Sequence, residues 1–416
     1  MKLDSGTSRL DLGRVALLVT ASAYLMLLPT GALSFWRSIA FGSSALLAIV
    51  IVAAVARSRR EIIPSIGAAV PAAVAAWALW SIASLAWSVD PSFSAQEVKS
   101  DVLWGLVTMT IFYVAVAAEP RGFTALAGTL LAGLAFWTAL AIGFAMSSAG
   151  WDARLFHRGE GAFATYLVTV SPFLAFLLWP APAGVATGSR SLVVAVLLIT
   201  LVLVAARMSD NRILWIAFAA SVIIIAASAR SRVSPVWKAA SAGVLILVFA
   251  LLFVDAARQR AVTPSDSPVA STLAADPRIA IWKHASDRIR ARPWHGHGYG
   301  LHILGGEIGS GVNDERIMHP HNLFASQWLQ TGAIGLALFV LMLGTVAVAY
   351  GRFIRSRDRV LAHLGAVGLA VLAGFVIRNL TDDFFIRANG KILFAANAIL
   401  LAAGAMRWHE LRREGR

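Results

Sequence analysis

Apolar residues run along this chain in long, nearly unbroken stretches rather than at alternate positions. Twelve such runs stand out: 13–33, 38–56, 66–87, 102–118, 122–147, 162–180, 191–206, 213–229, 236–255, 323–350, 359–380 and 391–407. A helix needs about 20 mainly apolar residues to cross the hydrocarbon of a bilayer. The runs are rich in Ala, Leu and Val and lack the two-residue alternation of a membrane barrel, so they predict helices. The first run has no small-residue cleavage site followed by a soluble chain and reads as a span, not a signal peptide. No fixed-period repeat is visible. The expected fold is an all-α polytopic membrane protein with about twelve transmembrane helices. Residues 1–255 carry helices one to nine, 256–322 form one long polar loop, and 323–416 carry the last three helices and a tail.

Composition agrees. Of 416 residues, 58% are hydrophobic and only 14% charged. A soluble domain is closer to half apolar and a quarter charged, so a soluble globular enzyme and a disordered chain are both excluded. The absence of cysteine excludes disulfides, thiolate metal sites and a cysteine nucleophile. The net charge of +14 would suggest nucleic acid in a soluble protein. Here it first has to be divided by membrane side. With the N-terminus in the cytoplasm, 19 of the 36 basic residues fall in cytoplasmic segments. Of the other 17, eight lie in the long loop, which counts little toward topology. Both termini are therefore expected in the cytoplasm, and no nucleic-acid partner is expected. Acids and histidines sort the other way, with 15 of 22 acids and seven of nine histidines on the outer side. In a Gram-negative bacterium that face is the periplasm.

The long loop opens with a polar stretch, Thr263 to Pro268, that reads as flexible. From Asp276 to Ala285 the apolar positions recur at helical spacing and predict a short amphipathic helix. From Pro293 to Gly300 glycine alternates with larger residues, a pattern that permits close approach of backbone to a ligand. His319-Pro320-His321-Asn322 ends the loop, and the next helix is expected to begin near His321.

Arg154, Arg158, Arg212 and Arg378 sit at the outer edges of apolar runs, where hydropathy disfavours them. Each has an ordinary reading, snorkelling to headgroups or pairing with Asp152, Asp210, Asp382 or Asp383. As a set with Arg278 they gather on one side, beside His321. The guanidinium fork matches phosphate oxygens, so the set is suited to hold a lipid phosphate or pyrophosphate.

Three features together resemble the O-antigen ligase and polymerase superfamily of bacterial membrane glycosyltransferases. They are Asp-x-Arg-x-x-x-Trp at Asp276, Arg278 and Trp282, the Pro-x-x-Gly-x-Gly-x-Gly stretch from Pro293 to Gly300, and His319-Pro320-His321-Asn322 with the Leu323–Gly335 segment that follows. Ser209 and Arg212 are similar to the family's serine–arginine pair, here separated by Asp210 and Asn211. The region from Arg154 to Leu167 has arginine and aromatic character but lacks the expected asparagine. The resemblance implies a C-type glycosyltransferase-like fold and an undecaprenyl-pyrophosphate-linked glycan as donor. In the ligase branch the acceptor is the lipid A–core oligosaccharide, at the periplasmic face of the inner membrane, in lipopolysaccharide biosynthesis. A third branch glycosylates protein Ser or Thr, and length near 400 with twelve spans favours the ligase branch over that one. The polymerase branch is the nearest rival.

In that chemistry His321 is the expected general base, since an imidazole accepts a proton near neutral pH. Arg212 and Arg278 are expected to bind the pyrophosphate, with Arg154 and Arg158 assisting. His319, Asn322, Gly296, Gly298 and Trp282 are possible supporting residues. A one-step displacement inverts the anomeric centre, and no cofactor is expected. Metal chemistry through His295, His297, His302, His319 and His321 is the competing reading, disfavoured because no fixed carboxylate partner is evident and arginine supplies the cationic charge. Glu307, Asp314 and Glu315 are candidates to orient His321. A polyprenyl-phosphate transporter or flippase is the main non-enzyme alternative. It calls for broken helices and repeated halves, and neither is visible in the sequence.

Overall fold

The structure, a computed structural model, describes residues 5–58, 63–147, 159–178, 189–209, 211–228, 243, 277–311 and 318–415. All regular structure among them is helical. The helices are α1 (Ser5–Leu27), α2 (Ser34–Ser58), α3 (Ala69–Ala83), α4 (Pro91–Glu97), α5 (Trp104–Ala118), α6 (Gly122–Met146), α7 (Glu160–Val170), α8 (Ala175–Leu178), α9 (Ser189–Met208) and α10 (Arg212–Ser228). After them come α11 (Pro277–Ala291), α12 (Gly305–Gly311), α13 (Leu323–Arg355), α14 (Arg359–Arg378) and α15 (Arg387–Arg413).

Nine described helical segments are long and apolar enough to cross a membrane, and Arg212–Ser228 is a shorter apolar helix. Several expected boundaries move. The run at 13–33 ends as a helix at Leu27. The run at 102–118 begins earlier, at Pro91, because a π turn at Val98–Leu103 joins α4 to α5. Apart from Gly243, the run at 236–255 lies outside the described residues. Inside the long loop, the expected amphipathic helix is present as α11.

The helix most protected by its neighbours is α15. It is the least apolar of the nine segments, yet almost all of it is buried inside the bundle, whereas most of α2 is not. Helices rather than lipid surround it, so it tolerates polar residues that a lipid-facing helix would not. Asn397, for example, accepts a hydrogen bond from the Tyr350 hydroxyl of α13 at 2.8 Å. Near the site end of the bundle, Trp77 of α3 meets Phe339 of α13, Phe385 and Phe394 at ring-centroid distances of 6.1, 5.7 and 6.4 Å. This aromatic cluster ties together the elements that carry the loop segments.

One helix is broken, contrary to the expectation of uninterrupted spans. Within α13, Gly332 has φ 72° and ψ −176°, which is not helical. The break frees backbone groups that must find other partners. The glycine-rich segment supplies them. His297 N and Gly298 N donate to Leu329 O and Gln330 O at 3.0 and 2.9 Å, and Ala333 N donates to Pro293 O at 2.8 Å. Trp80 Nε1 donates to Thr331 O at 2.9 Å. A Cβ on Gly332 would lie 2.2 Å from the carbonyl of Trp294, and one on Gly298 would lie 2.2 Å from Ser88 Oγ. The glycines allow protein backbone to approach protein backbone.

Gly332→Ala is therefore expected to destabilise the fold by about 2 kcal/mol or more, from the left-handed φ and the clash together. Gly128→Ala, whose Cβ would meet nothing within 4 Å, serves as the control. Thermal unfolding of the two purified variants in detergent compares them; equal midpoints would mean that the close packing at Gly332 does not stabilise the fold.

Candidate functional site

Asn322 is the local organiser of the histidine turn. Its side chain caps α13, accepting hydrogen bonds from Phe324 N and Ala325 N at 3.0 Å each. Asn322 Nδ2 donates to Leu380 O at 2.8 Å, and Leu323 N donates to Asn379 O at 2.9 Å. These bonds join the turn to the loop between α14 and α15. From the other side, Trp282 Nε1 of α11 donates to Pro320 O at 2.9 Å. Held at both flanks, His321 adopts φ 52°, a left-handed conformation uncommon for a residue with a Cβ. Such a conformation costs on the order of 1–3 kcal/mol and persists where the surroundings over-determine it. The helix thus starts at Leu323 rather than at His321, since Asn322 takes the cap and leaves His321 in the turn before it.

Asp382 is the residue that sequence reasoning missed. His321 Nδ1 lies 3.2 Å from Asp382 Oδ1, and His319 Nε2 lies 3.5 Å from the same oxygen. Asp383 N donates to that oxygen at 3.0 Å, and Arg378 Nη2 lies 3.4 Å from Oδ2. Burial opposes ionisation of Asp382, but the two histidines and Arg378 outweigh it and hold the carboxyl well below the usual carboxylate range. Its neighbour Asp383 goes the opposite way. Burial, reinforced by the nearby charges of Asp382 and Asp101, pushes Asp383 up to about 7. Glu307, one of the expected orienting acids, is instead paired with Arg288 at 3.0 Å. Asp314 and Glu315 lie outside the described residues. The only signal for Asp382 in the sequence was its spacing from Arg378, which marked it as a counter-ion; its second role, toward His321, depends on contact across 61 positions.

A hydrogen bond from Nδ1–H to an ionised carboxylate fixes the tautomer, so Nε2 carries the free lone pair. Among the described residues Nε2 of His321 has no hydrogen-bond partner, and the side chain is 30% exposed. The imidazole is equipped to accept a proton from a group arriving at the surface. His302, His319 and His321 also lie in series, the first pair stacked at a centroid separation of 5.5 Å and the second tilted at 4.1 Å.

The arginines separate into two kinds. Arg378 is buried, at 1% exposure, donates to Gly161 O at 3.3 Å and lies 5.4 Å from the centroid of the Phe384 ring. It joins α14 to the start of α7 and has no open face for a phosphate. Arg212 is exposed at the first position of α10. Farther along the same helix, Ser221 Oγ donates to Ala370 O of α14, the helix that ends at Arg378, at 3.2 Å. Arg278 lies in the first turn of α11, one helical turn before Trp282. Arg154 and Arg158 lie outside the described residues. The structure therefore brings Trp282, His319, His321 and Asn322 together. It does not bring Gly296 and Gly298 to them as ligand contacts, because the space around both glycines is filled by Gln330 and Ser88. His297 is likewise engaged, its Nε2 lying 3.0 Å from Arg288 O, and burial lowers its basicity.

His319, His321 and Asp382 bring three potential metal-ligand atoms within 4.8 Å of one another. That carboxylate differs from the partnerless histidines of the sequence reading. Arg378, however, already neutralises Asp382, and a guanidinium on the same carboxylate competes with a divalent cation for its charge.

No curated protein matches the chain. Residues 173–340 match the family described as O-antigen ligase, a stretch that contains Arg212, Arg278, Trp282, the glycine-rich segment and the histidine turn and stops short of Asp382. Over that segment the chain is similar to the O-antigen ligase family.

Proposed function

We propose that this protein is an O-antigen ligase that moves a glycan from undecaprenyl pyrophosphate to the lipid A–core oligosaccharide at the periplasmic face of the inner membrane. The observation that carries the proposal is the pairing of His321 Nδ1 with the ionised Asp382 at 3.2 Å. In this reading both termini are cytoplasmic, and the 256–322 segment is the periplasmic catalytic loop. The charge distribution of the short loops supports that orientation.

The reaction is a single displacement. An acceptor hydroxyl oxygen attacks the anomeric carbon of the donor sugar, and its proton passes to His321 Nε2. The bond from the anomeric carbon to the pyrophosphate oxygen breaks, and undecaprenyl pyrophosphate leaves with the electron pair. Configuration at the anomeric carbon inverts. Asp382 holds the imidazole in the base-competent tautomer and stabilises the imidazolium that forms. The leaving group needs cationic stabilisation rather than an acid proton. Arg212 and Arg278 supply it, with Arg154 and Arg158 as further donors. Arg378 acts behind the site, anchoring Asp382.

His321→Ala is expected to abolish transfer, a loss of at least about 10²-fold, while donor binding survives. Arg212→Ala and Arg278→Ala are expected to weaken donor binding or turnover. The assay uses purified protein, lipid-linked glycan, and either lipid A–core or a second lipid-linked glycan as acceptor. Transfer only to the second lipid-linked glycan would make the protein a polymerase. Near wild-type transfer by His321→Ala would remove it as the base.

Asp382→Asn is expected to lower turnover by about 10²-fold or more with little change in donor affinity, because the amide no longer selects the tautomer. Asp382 is ionised throughout the neutral range, since its pKa is depressed. Its contribution is present above its ordinary pKa and is lost only as pH falls through the depressed value. The wild-type rate should thus show no loss from Asp382 protonation down to about pH 4. Full activity after exhaustive chelation is expected; loss that divalent cation restores would favour metal binding at His319, His321 and Asp382.

A further inference from the structure

At the end of α14 opposite the histidine turn is a cavity of about 550 Å³. The 20 residues of α14 separate the two by about 30 Å. Its lining includes Arg357, Arg412, Trp408, Leu361, Leu411 and Ser356. It is formed where α13 ends, α14 begins and α15 ends, so it opens where three membrane helices leave the hydrocarbon.

The charges around it are unequally satisfied. Asp358, also in the wall, is fully engaged. It accepts from Arg407 Nη2 and Nε at 2.8 and 3.2 Å and from Leu361 N at 3.0 Å. Arg407 in turn also pairs with Glu410 at 3.1 Å. Arg357 and Arg412 are exposed and have no acidic partner among the described residues. Arg412 lies 5.9 Å from the centroid of the Trp408 ring, which holds the guanidinium at the cavity without neutralising it. Two uncompensated guanidinium groups thus face a concavity whose remaining walls include Leu361, Leu411 and an indole. Tryptophan favours the level of the lipid headgroups. A soluble anion would need the cations and not the apolar walls.

We infer that this cavity binds the headgroup and glycerol region of an anionic phospholipid, with Arg357 and Arg412 on the phosphate and Leu361, Trp408 and Leu411 against the proximal acyl chains. Basic pockets between transmembrane helices are suited to such headgroups. In the topology proposed above this is the cytoplasmic leaflet. The binding itself does not depend on which glycan the other end transfers. Loss of lipid binding and loss of transferase activity are therefore separate results.

The test is native mass spectrometry of the purified full chain in detergent, titrated with phosphatidylglycerol or with phosphatidylcholine of the same acyl chains. Phosphatidylglycerol is expected to bind about tenfold more tightly. Arg357→Gln/Arg412→Gln should remove most of that preference. Arg357→Lys/Arg412→Lys should keep most of it, and it also answers if the glutamine variant does not fold. Arg352→Gln/Arg413→Gln, which removes the same charge from exposed positions outside the cavity lining, should change affinity by less than about twofold. Equal affinity for the two lipids would overturn the inference. So would equal losses in the glutamine variant and its charge-matched control, which would mean a diffuse field rather than a site. Release of the lipid by millimolar inorganic phosphate would identify a small-anion site and likewise overturn it.

Discussion

The Asp382 carboxylate is the point on which the site depends. It receives His321 and His319 from one side, Arg378 from another and the backbone of Asp383 from its own loop. Arg378 carries the connection to Gly161 at the start of α7, and the neighbouring Asn322 and Asn379 close the turn onto the same loop. A buried carboxylate is expensive unless it is paired and hydrogen-bonded. That cost is why the knot is specific: a partner removed leaves an uncompensated charge, so the arrangement has few alternatives. One charge thereby locks a left-handed histidine, an N-cap and two helix ends into a single geometry.

The broken helix serves the same end by different means. A continuous α13 would satisfy its own backbone and leave the polar loop with nothing to grip. The interruption at Gly332 exposes donors and acceptors that only another stretch of backbone satisfies, and Pro293–Gly300 fits there because its glycines remove the side chains in the way. The loop is thereby tied to the membrane bundle between α11 and the histidine turn. Trp282 completes the tie at Pro320. Packing and hydrogen bonds of this kind hold the loop that carries the imidazole in place.

Charge at the two ends of α14 is handled differently. At Arg378 the guanidinium is buried, paired and structural. At Arg357 and Arg412 it is exposed and without an acidic partner among the described residues, beside an apolar wall. The chain uses arginine in one place to close a network and in the other to leave one open.

What was legible in the sequence follows from local physics. Long apolar runs require helices because lipid offers the backbone no hydrogen bonds. Amphipathic spacing at Pro277–Ala291 and a His-Pro-His-Asn turn before a long apolar run likewise depend on near neighbours alone. The importance of Trp282 and the glycines was visible as pattern, but their work was not: whether a glycine admits a ligand or another strand of backbone is decided by what lies across the space. Asp382 is the clearest case. In sequence it is a carboxylate four residues after an arginine, the ordinary counter-ion spacing, and nothing local distinguishes it from Asp383 beside it. Packing buries Asp383 and raises its pKa while it turns Asp382 toward two imidazoles and an arginine. Sequence alone determined that this is a helical membrane chain with a histidine at the end of a long polar loop. Only the tertiary structure decided which acid serves that histidine, because the choice between adjacent carboxylates is made by contacts from helices far apart in the chain.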